Sequence, residues 1–283
     1  MNMKRITAVL CAAFALALGS CTASAPVAAP STSPGAATQR AATPVAGDEE
    51  TQMGAQVWDQ LKSQGEIVKT SPLYTTLTPI AASITRVVQP RYPYPIHFYI
   101  VHDKDPNAFA TPGGNVYVVD SLFYFVHNRE ELAGTLCHET SHLLHHDSMK
   151  EMNHSRQIRM REAAAVVLVP NWRTALAASA IGALDSLHYS RGAEEAADIT
   201  GSDTCAAAGY NPWGLVWLFQ DFQNSSMQAP PEVLSDHPDN SDRVAALERH
   251  FKQQPSTFSQ FNDDPTSATK LTLPKDEAEQ FVR

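Results

Sequence analysis

The spacing of apolar residues divides the chain into stretches of different period. In DEETQMGAQVWDQLK the acidic residues come first, and Met53, Val57 and Leu61 follow at intervals of four. That spacing places the apolar side chains on one face of a helix, with carboxylates at its N-terminal end where the helix dipole favours them. A second helix is predicted over 73–88. The period then shortens. IHFYIV (96–101) and NVYVVD (115–120) are rich in β-branched and aromatic residues and read as strands. Between them, NAFATPGG carries the turn residues Pro112, Gly113 and Gly114. Beyond Asp120 almost everything reads helical to about residue 251, and the tail 252–283 reads as irregular. The predicted fold class is α+β, mainly helical, with a small β-sheet ahead of a long helix near residue 138.

Two stretches depart from this pattern. Residues 22–47 are Ala, Pro, Ser and Thr with hardly a charge, a linker composition too poor in large apolar groups to fold. The folded domain is therefore expected over 48–251. AAAVVLVPNWRTALAASAIGAL (163–184) is almost membrane-like, but Pro170, Asn171 and Arg173 split it into two runs too short to span a bilayer. It reads as a buried helical hairpin, or else as an apolar lid or a surface leaning on lipid or on unfolded chains.

Composition narrows the partners. The chain has 283 residues and a formal net charge of −9. No basic stretch stands ready for phosphates, which excludes nucleic acid as a partner, and no polybasic run addresses anionic lipid. The N-terminal MNMKRITAVLCAAFALALGSC has Lys4 and Arg5 before an apolar run from Ile6 to Leu18, so residues 1–20 read as a signal peptide. Its end, LGSC, resembles a bacterial lipobox. The resemblance implies cleavage before Cys21 and lipidation of that cysteine. Thr22 rather than Asp follows, which by analogy with Gram-negative lipoproteins favours the outer membrane. A lipid there, with a linker over 21–47, would hold the domain at a membrane surface. Cys137 and Cys205 remain. They read as small buried residues, with a mutual bridge open in an oxidising compartment and a metal-ligand role open for Cys137.

The chemistry concentrates in LCHETSHLLHHD (136–147). HETSH is an HExxH motif. His138 and His142 leave one face of a helix and can share a metal, and Glu139 lies about 100° round, near a water but outside the ligand set. SRGAEEAAD (190–198) then offers Glu194 and Asp198 four apart on a second helix. One carboxylate can ligate, and the other can accept the remaining ring N–H of a ligand histidine. A zinc hydrolase needs Glu139; a purely structural zinc site does not. That distinguishes an endopeptidase from a chaperone-like lipoprotein with a latent zinc site, while Glu194 and Asp198, so placed, argue against a third reading, a histidine-rich metal store.

These motifs resemble, in order, those of the HtpX- and BepA-like zinc metallopeptidases. The resemblance covers about 48–251. NAFATPGGNVYV is similar to the family's strand–turn–strand, HETSH to its zinc helix, and SRGAEEAAD to its ExxAD helix. DHPDNSDRV is similar to its late His-Pro loop and Arg-bearing helix, with His237 and Arg243 in the matching places. The resemblance implies a zincin-type metallopeptidase domain and one Zn2+ held by His138, His142 and Glu194. It implies Asp198 behind the ligands, Glu139 as general base, and His237 and Arg243 as catalytic groups. His237 would either donate to the oxyanion or occupy the fourth zinc position at rest. Substrate would add as a strand to the edge at Asn107, Ala108, Phe109, Ala110 and Thr111. The implied substrates are unfolded or misassembled envelope polypeptides, cut in the periplasm by a lipid-anchored enzyme. Where the family often continues with a basic residue and then His, this chain has His146 and Asp147, and neither His145 nor His146 is given a catalytic role.

Overall fold

The computed structural model describes residues 48–165, 189–224 and 241–274. The expected signal peptide over 1–20, Cys21, the expected linker to 47, the 166–184 part of the apolar stretch and His237 lie outside the described residues.

The first helix, α1 (Glu49–Gln64), begins where the side chain of Asp48 accepts the Thr51 N–H, and ends at Gly65, whose positive φ lets its N–H turn back onto the last carbonyls. It buries Val57 and Leu61, and Met53 is less covered. α2 (Tyr74–Val88) buries Leu77, Ile80, Ile84 and Val88, a stripe spaced by three and four. Four strands are present among the described residues, two of them where the sequence pattern predicts strands, over 96–101 and 115–120. β1 (Ile67–Val68), β2 (His97–Val101), β3 (Ala108–Thr111) and β4 (Asn115–Val119) form a sheet in the order β1-β2-β4-β3. β3 and β4 make an antiparallel hairpin, and β2 runs parallel to β4. The hairpin turns at Gly113 and Gly114, both at positive φ.

The sheet has two apolar faces. Ile100, Val116 and Val118 join α2 and the later helices in the main core, while Val101, Tyr117 and Val119 meet Val57 and Leu61 of α1. After the short α3 (Leu122–Phe125) come α4 (Arg129–His145), α5 (Asp147–Ala165), α6 (Arg191–Ala208), α7 (Trp213–Asn224) and α8 (Ser241–Gln253). α4 is buried along nearly its whole length, because β3, α6 and α7 all pack on it. That explains its weak amphipathicity. A helix covered on every side has no polar face to display.

Close helix contacts fix this core. A Cβ on Gly214 of α7 would lie 2.2 Å from the Glu130 carbonyl oxygen of α4. Gly214→Ala is expected to cost about 3 kcal/mol, the upper end for overpacking. A urea-midpoint loss worth under 1 kcal/mol would show that α7 can shift freely. Of the tail expected to be irregular, 252–283, the described part to residue 274 packs on the domain. Phe258, in α9 (Pro255–Phe258), is buried in the core. Further on, the Arg129 N–H donates to the Thr269 carbonyl and the Thr269 N–H to Glu130. Leu271 and Leu273 pack on the same core. Short irregular segments with isolated apolar residues carry no period, so the sequence pattern could not show this docking.

Cys137 of α4 and Cys205 of α6 form a disulfide, with Cα atoms 5.8 Å apart. Both are buried. This closes the bridge left open by the sequence and removes the thiolate-ligand alternative for Cys137. No helix among the described residues is long and apolar enough to cross a membrane.

Candidate metal centre

α4 starts at Asn128, whose side chain accepts the Glu131 N–H while Glu131 reaches back to Asn128 Nδ2 and the His127 N–H. This reciprocal cap fixes the helix start and with it the direction of His138 and His142 two turns and more along. The helix ends at His146, the one non-glycine residue among those described with positive φ (53°). That reversal swings Asp147 back beneath the last turn.

The histidine rings meet edge to face, at 88°. His142 Nδ1 lies 2.9 Å from Asp147 Oδ2, and His138 Nδ1 2.9 Å from Asp198 Oδ1. Each carboxylate holds the proton on Nδ1, so both Nε2 atoms carry lone pairs. Those two Nε2 atoms are 3.1 Å apart. Glu194 completes the set, with Oε2 3.4 Å from His138 Nε2 and Oε1 3.6 Å from His142 Nε2. All three side chains are buried. Two lone pairs and a carboxylate converging in a dry site repel one another unless a cation or a proton lies between them. A tetrahedral zinc with donors at 2.0–2.1 Å would separate them by about 3.3 Å, and the observed distances bracket that value. The donor set fits Zn2+.

Without a cation the site must hold a proton. Burial disfavours the His138 imidazolium, yet Asp198 and Glu194 outweigh it and push His138 up to about 10. Metal binding has to displace that proton. Zinc titration near neutral pH is therefore expected to release about one proton per zinc, with apparent affinity strengthening as pH rises. Binding with no proton release, read in a weakly buffered indicator solution, would contradict the arrangement.

Asp198 is held in turn by Arg243 of α8. Arg243 Nε and Nη2 each lie 2.7 Å from an Asp198 oxygen, and Nη1 is 3.1 Å from Glu194 Oε2. Arg243 is 3% exposed and stacks over Phe219. Arg243, expected as a catalytic group, is placed behind the donor triad. It clamps the carboxylates there, with Nε and Nη2 on Asp198 and Nη1 on Glu194.

Glu139 projects toward the sheet. Its Oε2 accepts the Ala110 N–H at 3.0 Å. β3 is the sheet edge, and its ladder to β4 uses residues 107, 109 and 111, so the backbone groups of Ala108 and Ala110 point away from β4. Asn107 Oδ1 accepts the Ala108 N–H. The predicted substrate strand is therefore an edge strand lying against Glu139. His145 instead meets Thr200 and Asp147, and His146 meets Glu50 of α1.

Two residues at the site escaped the sequence reading. Asp147 depends on the chain reversal at His146, which no periodicity announces; its only signal is a carboxylate five residues past a ligand histidine. Tyr189 stacks on His142, with ring centroids 4.1 Å apart, and shares a hydrogen bond with Ser148. Nothing in its own neighbourhood of sequence marks it. A second His/Glu/Asp group, His127, Glu131 and Asp221, sits at the start of α4. There Glu131 already serves the cap, and the positive end of the helix opposes a cation.

A helix bearing two histidines and a glutamate, a carboxylate ligand from a following helix, and an edge strand beside the glutamate define a zinc metallopeptidase. The chain belongs to Peptidase family M48, whose model matches residues 75–250. It is 28% identical to the beta-barrel assembly-enhancing protease of Yersinia pestis over 180 residues, which is 59% of this chain and 37% of the relative. It is 29% identical over 154 residues to metalloprotease YcaL of Escherichia coli, covering 53% of this chain and 60% of that protein. The mitochondrial metalloendopeptidase OMA1 of Schizosaccharomyces pombe is 27% identical over 153 residues, 53% of this chain and 45% of its own. The matches thus span less than two thirds of each of these relatives.

Proposed function

We propose that this chain is a zinc-dependent endopeptidase of the bacterial cell envelope that cuts unfolded or misassembled envelope polypeptides. The observation that carries the reading is the place of Glu139, between the His138–His142–Glu194 donor set and the backbone of edge strand β3. When bound, Zn2+ supplies a Lewis acid that polarises the scissile carbonyl and acidifies a water. Glu139 takes the proton of the attacking water and delivers it to the leaving amine nitrogen. β3 aligns an extended substrate through its outward backbone groups at Ala108 and Ala110. Pairing of this kind reads main chain more than side chain, and it requires a polypeptide that is not already folded.

The envelope setting is supported by the signal peptide and lipobox pattern, by the buried disulfide, and by relatives named for beta-barrel assembly. The enzyme is tested by cleavage of casein against a folded globular protein, with chelator added and zinc then restored. Zinc-loaded protein that leaves casein intact would end the peptidase reading. For the anchor, Cys21→Ser is expected to move the protein from the membrane to the soluble fraction with cleavage retained. A mutant that stays on membranes would shift the anchor to another segment.

A further inference from the structure

The two helices that carry the metal donors are joined by a covalent bridge and by a close backbone approach, both next to His138. Cys137, bridged to Cys205, immediately precedes His138. Gly201 of α6 lies against the same turn of α4. A Cβ on it would stand 3.1 Å from the His138 nitrogen, 3.2 Å from the Cys137 carbonyl carbon and 3.2 Å from the His138 Cα. On α6, Glu194 and Asp198 come first, Gly201 next and Cys205 last. The distance from Glu194 to the glycine contact is about 10 Å, and to the bridge about 16 Å. A helix moves as a stiff rod over that length. A small displacement at the bridged end is therefore transmitted to the ligand end.

The tolerance is narrow. Metal–ligand distances must hold to about 0.2 Å. Even a methyl group at Gly201 would need its neighbours to give by a few tenths of an ångström. The donors come from both helices, His138 and His142 from α4 and Glu194 from α6. The α4–α6 spacing thus decides whether Glu194 reaches the same point as the two Nε2 atoms. Asp198 of α6 also reaches across the gap, to His138 of α4. This further tie limits the effect of losing the bridge to the range typical of groups that orient ligands, about 10–100-fold.

We propose that the Cys137–Cys205 bridge and the Gly201 contact together set the zinc affinity of the site, by fixing Glu194 relative to His138 and His142. Tight zinc binding then belongs to the oxidised chain. Forming the bridge removes two electrons and two protons from the two thiols. A disulfide in the surroundings accepts them and leaves as two thiols. The chain is thereby matched to an oxidising compartment by its metal site as well as by its stability. Cys137, Cys205 and Gly201 are positioning residues, since none of them touches metal or substrate.

This inference rests on the metal-site reading above, and the experiment separates the two. The full-length protein is prepared oxidised, and also refolded in reductant with both thiols confirmed by mass. Far-UV circular dichroism establishes that each is folded. Zinc Kd is measured by competition with a chromophoric chelator, and the cobalt(II)-substituted protein is examined by its ligand-field absorption. The expected result is a Kd at least 10-fold weaker in the dithiol form, with a shifted cobalt(II) band. Gly201→Ala, with the bridge intact, should weaken zinc in the same direction. In a Glu194→Ala background, opening the bridge should change Kd less than twofold, because the ligand it positions is gone. Equal Kd values and equal cobalt(II) spectra in the two forms overturn the proposal. So does a 10-fold loss that persists without Glu194. A chain that folds only when oxidised makes the bridge a folding staple and overturns it as well. If the oxidised wild type binds no zinc, it is the metal-site reading itself that falls.

Discussion

Glu139→Gln is expected to lower cleavage of an unfolded protein by about 10²–10⁴-fold while the protein still carries one zinc per chain. The substitution keeps the shape of the side chain, and the amide oxygen can still accept the Ala110 N–H that now reaches Oε2. His138, His142 and Glu194 are untouched, as are Asp147 and Asp198 behind them. Only the proton-accepting capacity disappears. Elemental analysis and casein cleavage on the same preparation check both halves of the expectation. A variant retaining a tenth or more of wild-type cleavage would remove Glu139 from the role of base. One that also lost its zinc would show that the side chain holds the donor set together instead.

Arg243→Met is expected to have the largest effect on stability, about 3–5 kcal/mol at neutral pH, the usual cost of leaving a buried charge without its partner. Methionine keeps most of the apolar contact with Phe219. It offers nothing to Asp198, which receives two 2.7 Å bonds from the guanidinium. Burial pushes the Asp198 carboxyl upward, and Arg243 together with His138 more than reverses this, holding it below the ordinary carboxylate value of 3.8. A depressed folded-state value contributes stability above 3.8 that is lost as pH falls through the folded value. The gap between wild type and Arg243→Met should therefore be wide at neutral pH and shrink below about pH 4. Urea unfolding at both pH values, in the presence of chelator, measures it. A neutral-pH loss under 1 kcal/mol would mean that the clamp is dispensable.

The sequence alone determined the local chemistry of this protein. Helix period fixes that His138 and His142 share a face and that Glu139 stands aside from it, whatever the rest of the chain does. The same holds for Glu194 and Asp198, and for the turn at Pro112, Gly113 and Gly114. These are properties of residues within about one helical turn or one hairpin. The family motifs extended them into a donor set because their order along the chain is itself information.

Only the tertiary structure decided how these pieces meet. Arg243 stands 45 residues beyond Asp198. No pattern distinguishes an arginine that contacts substrate from one that grips a carboxylate behind the site. Asp147 reaches His142 because the backbone reverses at His146, a single dihedral that hydrophobic period does not encode. Cys137 and Cys205 are 68 residues apart, and their pairing depends on how α6 crosses α4. The docking of residues 252–274 rests on a few backbone hydrogen bonds and on isolated buried side chains such as Phe258. In each case the deciding contact joins residues far apart in sequence. Its geometry comes from the packing of whole elements, to which each residue contributes only a small part.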